Sequence, residues 1–327
     1  MRRCFRISLI AVLLGVTNFA VIAQSVIATA SKPLKMTQSG EVTKAEKLLD
    51  EWNPPNKDLL IEAEKILTKA IEKDPHDHFT LRQLSRLYLK KSAEIPISRD
   101  RQKFYEQAQL ALEKAITINP EYTDAHVLGG NLYKYIGNLE KAKASLETAR
   151  KLGANDAWFF FNLAEIEFQE KKYAEALKYY QLALKTPKTT RRPDILLLYG
   201  IQNSYWYLGD NSGYLSTFPL LIALQPDNAW PYGNYAMALL CSKDDFDESI
   251  VFFRQALSRM KYGYARRGLA GALYRKAVSY GVSAEQKTKL RNEAKGLFEG
   301  EPIEILTQIC GASSNKVVLA YTSDAAK

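Results

Sequence analysis

Histidine and cysteine are the side chains most often recruited for metal binding and nucleophilic chemistry, and this sequence holds three of each in 327 residues. His76-Asp77-His78 sets two imidazoles around one carboxylate, a spacing that could hold a metal ion. The tripeptide follows Pro75 in a predicted inter-helix turn, where Asp and His are ordinary residues, and no further ligand cluster stands near it in sequence. His126 falls at a helical packing position. No phosphate-binding glycine loop, nucleophile elbow or zinc-protease helix is legible. The reading is a chain that is not an enzyme, with no cofactor and no metal.

The cysteines raise a different question. Cys4 precedes the long apolar run of the N-terminus, too early for a lipoprotein cysteine, which would follow it. Cys241 and Cys310 could pair in an oxidising compartment. They lie about two repeats apart in the array described below, so pairing requires the C-terminus to fold back over it. Two unconnected thiols are the expected state.

Composition is that of a folded chain, 46% hydrophobic and 25% charged. Residues 1–30 depart from it. Arg2, Arg3 and Arg6 precede an uncharged run whose stretch Ile7 to Ala23 is almost wholly apolar, the layout of a signal peptide. Val21 and Ala23 suit a cut before Gln24. The alternative is an uncleaved anchor, since the run extended to Ala30 is long enough to span a bilayer. Export to the periplasm or beyond is therefore expected, with inner-membrane attachment only if the segment is retained. Arg2-Arg3-Cys4-Phe5-Arg6 is similar to part of a twin-arginine signal, but its flanking residues are incomplete and the general secretory route is preferred.

Removing the three leader arginines from the formal charge of +9 leaves +6. Lysines alternate with glutamates, as in Glu46-Lys47 and Glu113-Lys114, which describes solvated helix faces and no nucleic-acid stripe.

The elements that must position any site emerge from spacing. Alanine pairs seven apart occur at Ala63/Ala70, Ala108/Ala115, Ala142/Ala149 and Ala176/Ala183, the last three in steps of 34. Gly130 and Ala164, then Gln202, Ala236 and Ala270, repeat the same step in a second register. Positions i, i+4 and i+7 share a helix face, so Ala142, Leu146 and Ala149 make a small-large-small stripe, as do Ala176, Tyr180 and Ala183. Pro75, Pro120, Pro187 and Pro226 close the segments. A helix-turn-helix unit of 34 residues is the result.

This unit resembles the tetratricopeptide repeat, most clearly over Thr123 to Lys188. There Gly130, Tyr133, Gly137, Ala142, Ala149, Leu163, Ala164, Tyr173, Ala176, Tyr180 and Ala183 fall on motif positions. The resemblance implies an all-α, right-handed superhelical solenoid of about six to seven repeats with a C-terminal capping helix. The boundaries expected are a signal peptide at 1–23, a linker at 24–40, the solenoid at 41–280, the capping helix at 281–310 and a tail at 311–327. Irregularities are anticipated too: about eleven extra residues near Ser92 to Arg101, Pro219 bending the second helix of the fifth unit, and one extra residue before Ser249. Ser283 with Gln286 three residues on suggests a capping box.

In that family the concave groove is lined by fixed positions of each first helix. Carried across, they give Phe79, Arg82, Arg86 and Lys90; then Asp124, Asn131, Lys134 and Tyr135; then Trp158, Phe161, Glu165, Phe168 and Gln169. The later units contribute Tyr199, Asn203, Trp206, Tyr207 and Trp230, followed by Tyr264, Arg267, Tyr274 and Arg275. The candidate site is drawn from these: Arg82, Arg86, Asn131, Lys134, Tyr135, Trp158, Phe161, Phe168, Tyr199, Asn203, Trp206, Tyr207 and Trp230. Three of the four tryptophans fall there, and aromatics with arginine are the usual anchors of binding energy. The alternative for any one aromatic is packing between repeats. Leu128 and Trp158 stand where a clamp for chaperone C-terminal carboxylates needs polar groups, so that specificity is not expected. The resemblance implies a scaffold or assembly adaptor of the cell envelope that grips a partner peptide or helix. A polysaccharide-associated scaffold is the alternative, on the strength of flat rings interleaved with Asn131, Asn203 and Gln169.

Overall fold

The computed structural model describes residues 37–52, 56–95, 98–187, 193–297 and 310, all of whose regular structure is helical. The proposed leader, residues 298–309 and the 311–327 tail lie outside the described residues. Seven units follow one another among the described residues, six of two helices and the fifth of three. They are α1 (Gly40–Glu51) with α2 (Lys57–Lys73), α3 (His78–Ala93) with α4 (Ser98–Ile118), α5 (Thr123–Tyr135) with α6 (Leu139–Lys151), and α7 (Ala157–Gln169) with α8 (Tyr173–Lys185). The fifth is α9 (Asp194–Leu208) with α10 (Asn211–Ser216) and α11 (Phe218–Leu224). α12 (Ala229–Ser242) with α13 (Phe246–Arg259), and α14 (Gly263–Ala277) with α15 (Ala284–Leu297), complete the array. Within a unit the helices pack on each other, and the first helices of the first five units, α1, α3, α5, α7 and α9, each touch the next to form a continuous inner wall; α12 is met instead by α10 and α11, and α12 touches α14.

The small-large-small stripes are what hold the layers together. Ala142, Leu146 and Ala149 are buried on α6, and Ala176, Tyr180 and Ala183 on α8. Their bulky members enter notches on facing first helices. A β-carbon added at Gly130 would lie 2.5 Å from Leu146, and one at Gly200 would lie 2.4 Å from the Tyr180 ring, so neither glycine can grow. The turn between the two helices of a unit reverses through a residue at positive φ, Gly137 at 79°, Lys171 at 62° and Gly209 at 72°.

The irregular units are resolved in physical terms. The extra residues near Ser92 to Arg101 go mostly into α4, which runs 21 residues where α6 and α8 each run 13. Pro219 breaks the fifth unit's second helix outright, with Thr217 at the joint and the proline in the first turn of α11, the one place where a missing N–H costs nothing. The extra residue of the sixth unit goes into α12, which runs 14 residues where α5 and α7 each run 13, and its turn keeps a positive-φ residue at Asp244, φ 54°. The capping box forms at Ser283 and Gln286, each side chain bonded to the other's main-chain N–H at 3.2 Å. The helix it starts, α15, packs on α14 with Ala294 buried. It is the second helix of a seventh unit as well as the end of the described array.

The expected free thiols are a miscalculation. Cys241, near the end of α12, is bonded to Cys310, with α-carbons 5.3 Å apart across 69 residues. Sequence distance misled because α14 and α15 reverse direction on each other, and Cys310 returns to the core formed by α12, α13 and α14. No helix among the described residues is long and apolar enough to cross a membrane.

Candidate binding site on the inner face

Local rules place the inner-face side chains. Asp77 caps α3 by accepting from Phe79 N at 3.0 Å, and Asp156 caps α7 by accepting from Trp158 N at 2.7 Å and Phe159 N at 2.9 Å. With α7 started there, Trp158 and Phe161 sit on its inner side and meet edge to face, centroids 5.6 Å apart. Together with α1, α3, α5 and α9 they wall a cavity of about 870 Å³. Leu89, Val127, Leu128, Tyr135 and Leu196 supply further apolar surface, and Trp52 closes the end at α1. The long α4 adds Arg101 and Tyr105 from the side, turning what a regular array would leave as an open groove into a walled pocket. The Arg101 Nε–H donates to the Ile95 carbonyl and pins that wall to the end of α3.

Most inner-face cations are occupied by the chain's own acids. Arg82, 7% exposed, pairs with Glu46 at 3.0 Å and with Asp124 at 3.2 Å. Burial pulls its pKa down, but the acids and Tyr122 outweigh this and hold it above the ordinary value. Arg86 pairs with Asp50 and, at 3.6 Å, with Glu46. Lys134 donates to Glu165 at 2.8 Å, and the Tyr180 hydroxyl donates to the other oxygen of the same carboxylate at 2.5 Å, tying α5, α7 and α8. Burial, and then Glu165, push the Tyr180 phenol upward. Lys90 has no ion pair among the described residues. Its ammonium lies 4.8 Å from the centre of the Trp52 ring. Burial, with Arg86 adding and Asp50 opposing, pushes its pKa down from 10.5 to about 8.

The thirteen candidate residues do not form one site. Arg82, Arg86, Asn131, Tyr135, Trp158 and Phe161 line the cavity. Lys134, Tyr135, Phe168 and Tyr207 border a shallower depression of about 530 Å³ beside it. There Tyr207 stacks on Tyr173 at 4.5 Å and Phe168 meets Tyr207 edge to face at 5.6 Å. Tyr199, Asn203, Trp206 and Trp230 line neither hollow. Trp206 packs on Tyr214 at 5.2 Å and Trp230 on Tyr262 at 4.7 Å, each leaving a ring about half exposed. Tyr274 and Arg275 are core residues of the seventh unit.

Position-by-position transfer passed over Trp52, Arg101, Tyr105 and Asn162. Trp52 and Asn162 occupy positions the repeat pattern assigns no groove role. Arg101 and Tyr105 come from the inserted length of a second helix, and the excess over 34 was the available signal. Among the histidines, His78 is buried with Nε2 3.1 Å from Asn119 Nδ2, and His126 is buried 2.7 Å from the Pro120 carbonyl. His76 is exposed. No group of three or more metal-ligating side chains is found among the described residues.

Residues 159–189 match the family model described as tetratricopeptide repeat. The array is a tetratricopeptide-type solenoid. Two solved structures share its course. One is the crystal structure of the APC/C hetero-tetramer Cut9-Hcn1, at TM-score 0.54 and 16% identity, covering 71% of this chain and 46% of that one. The other is the C-terminal part of a TPR repeat-containing protein from Cytophaga hutchinsonii, at TM-score 0.52 and 14% identity, covering 81% and 99%. This chain thus spans about half the length of the first. No curated protein sequence matches it. Likeness at these identities shows the fold, and the chemistry of the inner face has to be read from this chain's own residues.

Proposed function

We propose that this solenoid is a non-catalytic scaffold or assembly adaptor, and that its inner face grips a peptide or helix of a protein partner. The observation that carries the reading is the cavity between α1 and α9. It is aromatic and apolar, with Trp158 and Phe161 at its centre, and repeat arrays bind along such continuous inner walls. Its size falls in the range of pockets that bury a ligand's side chains. A cell-envelope location is part of the proposal, supported by the basic-then-apolar N-terminal sequence and by the Cys241–Cys310 bond, which persists in oxidising compartments.

A photo-crosslinking residue at position 135, on the cavity rim, tests this in envelope preparations of the source cell. The expected result is a discrete protein adduct that disappears when Phe161→Arg fills the cavity with charge. Adducts indifferent to Phe161→Arg would overturn the groove reading. The glycan alternative rests on the exposed rings of Trp206, Tyr207 and Trp230, at 60%, 58% and 48%. It predicts glycan-array binding that survives high salt and is lost when those three become alanine.

A further inference from the structure

We propose that the cavity recognises an acidic residue adjacent to a large apolar one in an extended peptide segment, the carboxylate seated on Lys90 and the apolar side chain against Trp158 and Phe161. The inference rests on the groove reading above and specifies its ligand. Pairing geometry leads to it. Arg82 and Arg86 are held in direct ion pairs by Glu46, Asp50 and Asp124, and Asp156 caps α7. Lys90 lines the cavity against the Trp52 ring, with no acid of the chain in an ion pair with it among the described residues. An ammonium so placed is poorly solvated, and a partner carboxylate would offset that cost with a charge-assisted hydrogen bond.

A second, independent feature points to a ligand with N–H groups. Asn162 is 2% exposed and lines the cavity; its Nδ2 donates to the Val127 carbonyl at 3.0 Å, while its Oδ1 has no hydrogen-bond partner. Asn131 Oδ1, from the neighbouring helix, is also buried without one. Two orphan acceptors on adjacent helices suit the main-chain N–H groups of an extended segment, and leaving them unmet is costly.

The charged groups acting on Lys90 are Arg86 on its own helix and Asp50 on α1, and the other charged residues lining the cavity are Arg82 on α3, Arg101 on α4, Asp124 on α5 and Asp156 at the start of α7. Because only the ammonium pairs with a carboxylate, and burial pushes the Lys90 pKa down to about 8, affinity for an acidic peptide should fall as pH rises above 8 and level off near the affinity of Lys90→Met.

The test is selection of a displayed random peptide library on the full chain, followed by calorimetric titration of synthetic selected peptides. The titrations use wild type, Lys90→Met, Asn162→Leu and Phe161→Arg, each confirmed folded by circular dichroism. The expected binders carry Asp or Glu beside Phe, Leu or Trp. Lys90→Met, or amidation of the peptide's acid, should each weaken binding by about tenfold or more, the two losses should not add, and the fall above pH 8 should vanish in Lys90→Met. Asn162→Leu should weaken acidic and amidated peptides alike. Binders lost in Phe161→Arg but indifferent to Lys90→Met and to amidation would overturn the acidic-residue inference and leave the groove reading standing. No binder sensitive to Phe161→Arg would overturn both.

Discussion

The two halves of this solenoid share ion pairs and ring packing and differ in a hollow that the first half keeps and a covalent bond that the second half has. In the first four units the inner face is knitted by ion pairs and hydrogen bonds between helices distant in sequence, Glu46 with Arg82, Asp50 with Arg86 and Glu165 with Lys134. In the last three, ion pairs such as Arg254 with Glu293 and Arg275 with Asp244 are joined by ring packing of Phe218 on Tyr235 and Tyr235 on Phe252, and by one covalent bond, Cys241 with Cys310. The first half keeps a hollow lined by rings and aliphatic side chains with charged groups among them; the second half leaves the rings of Trp206, Tyr207 and Trp230 on its surface. In an array where each unit touches only its neighbours, such a difference should make the halves separable in stability.

The largest expected effect is that of Phe253→Ala. Phe253 is fully buried in the core shared by α12, α13 and α14, so truncation should cost about 3–5 kcal/mol. Hydrogen exchange should accelerate in α12 to α15 and stay unchanged in α1 to α6; uniform acceleration would show that the halves unfold as one. Arg82→Ala should cost about 3 kcal/mol by leaving Glu46 partly buried without its main partner, with the acceleration confined to α1 to α5. Reducing Cys241–Cys310 should lower stability by roughly 2–4 kcal/mol, read as faster exchange in α14 and α15 alone.

A pH series sharpens the same contrast. Lys90 has a folded pKa near 8, below its ordinary 10.5, so the folded form sheds a proton that the unfolded chain retains. The penalty of its buried charge is full below pH 8 and is relieved as pH rises toward 10.5. Wild type measured against Lys90→Met should therefore gain stability across that window, in the first half only. The smallest effect belongs to Glu147→Gln: its pairs with Arg150 and Lys151 are exposed and screened by solvent, and the thermal melting midpoint should not move measurably.

The repeat was legible because a 34-residue step in small residues is a packing requirement written directly into the sequence. Gly130 and Gly200 must be small because Leu146 and Tyr180 enter them, and the alanine stripes mark the same contacts. The capping box at Ser283 and the break at Pro219 were legible for a similarly local reason: a hydroxyl three residues before a Gln, and a residue with no N–H to donate, act on their own helix turn. The site was half legible. Trp158, Phe161 and Arg82 follow from their register on first helices, whereas Trp206 and Trp230 share that register and still lie outside the cavity. Register fixes the side of a helix a residue occupies. It does not fix which stretch of the wall is hollow.

What the sequence determined by itself is everything that depends on neighbours within one unit: helix type, turn positions, stripe composition and the number of layers. Tertiary structure alone decided the rest. Inserted residues lengthened α4 into a wall, acids of α1 paired with the arginines of α3, Lys90 was left without an ion pair among the described residues, and Cys310 is bonded to Cys241. Each of these joins residues tens of positions apart, and the meeting of such residues depends on how successive units turn in space, a sum of small rotations that no single repeat encodes.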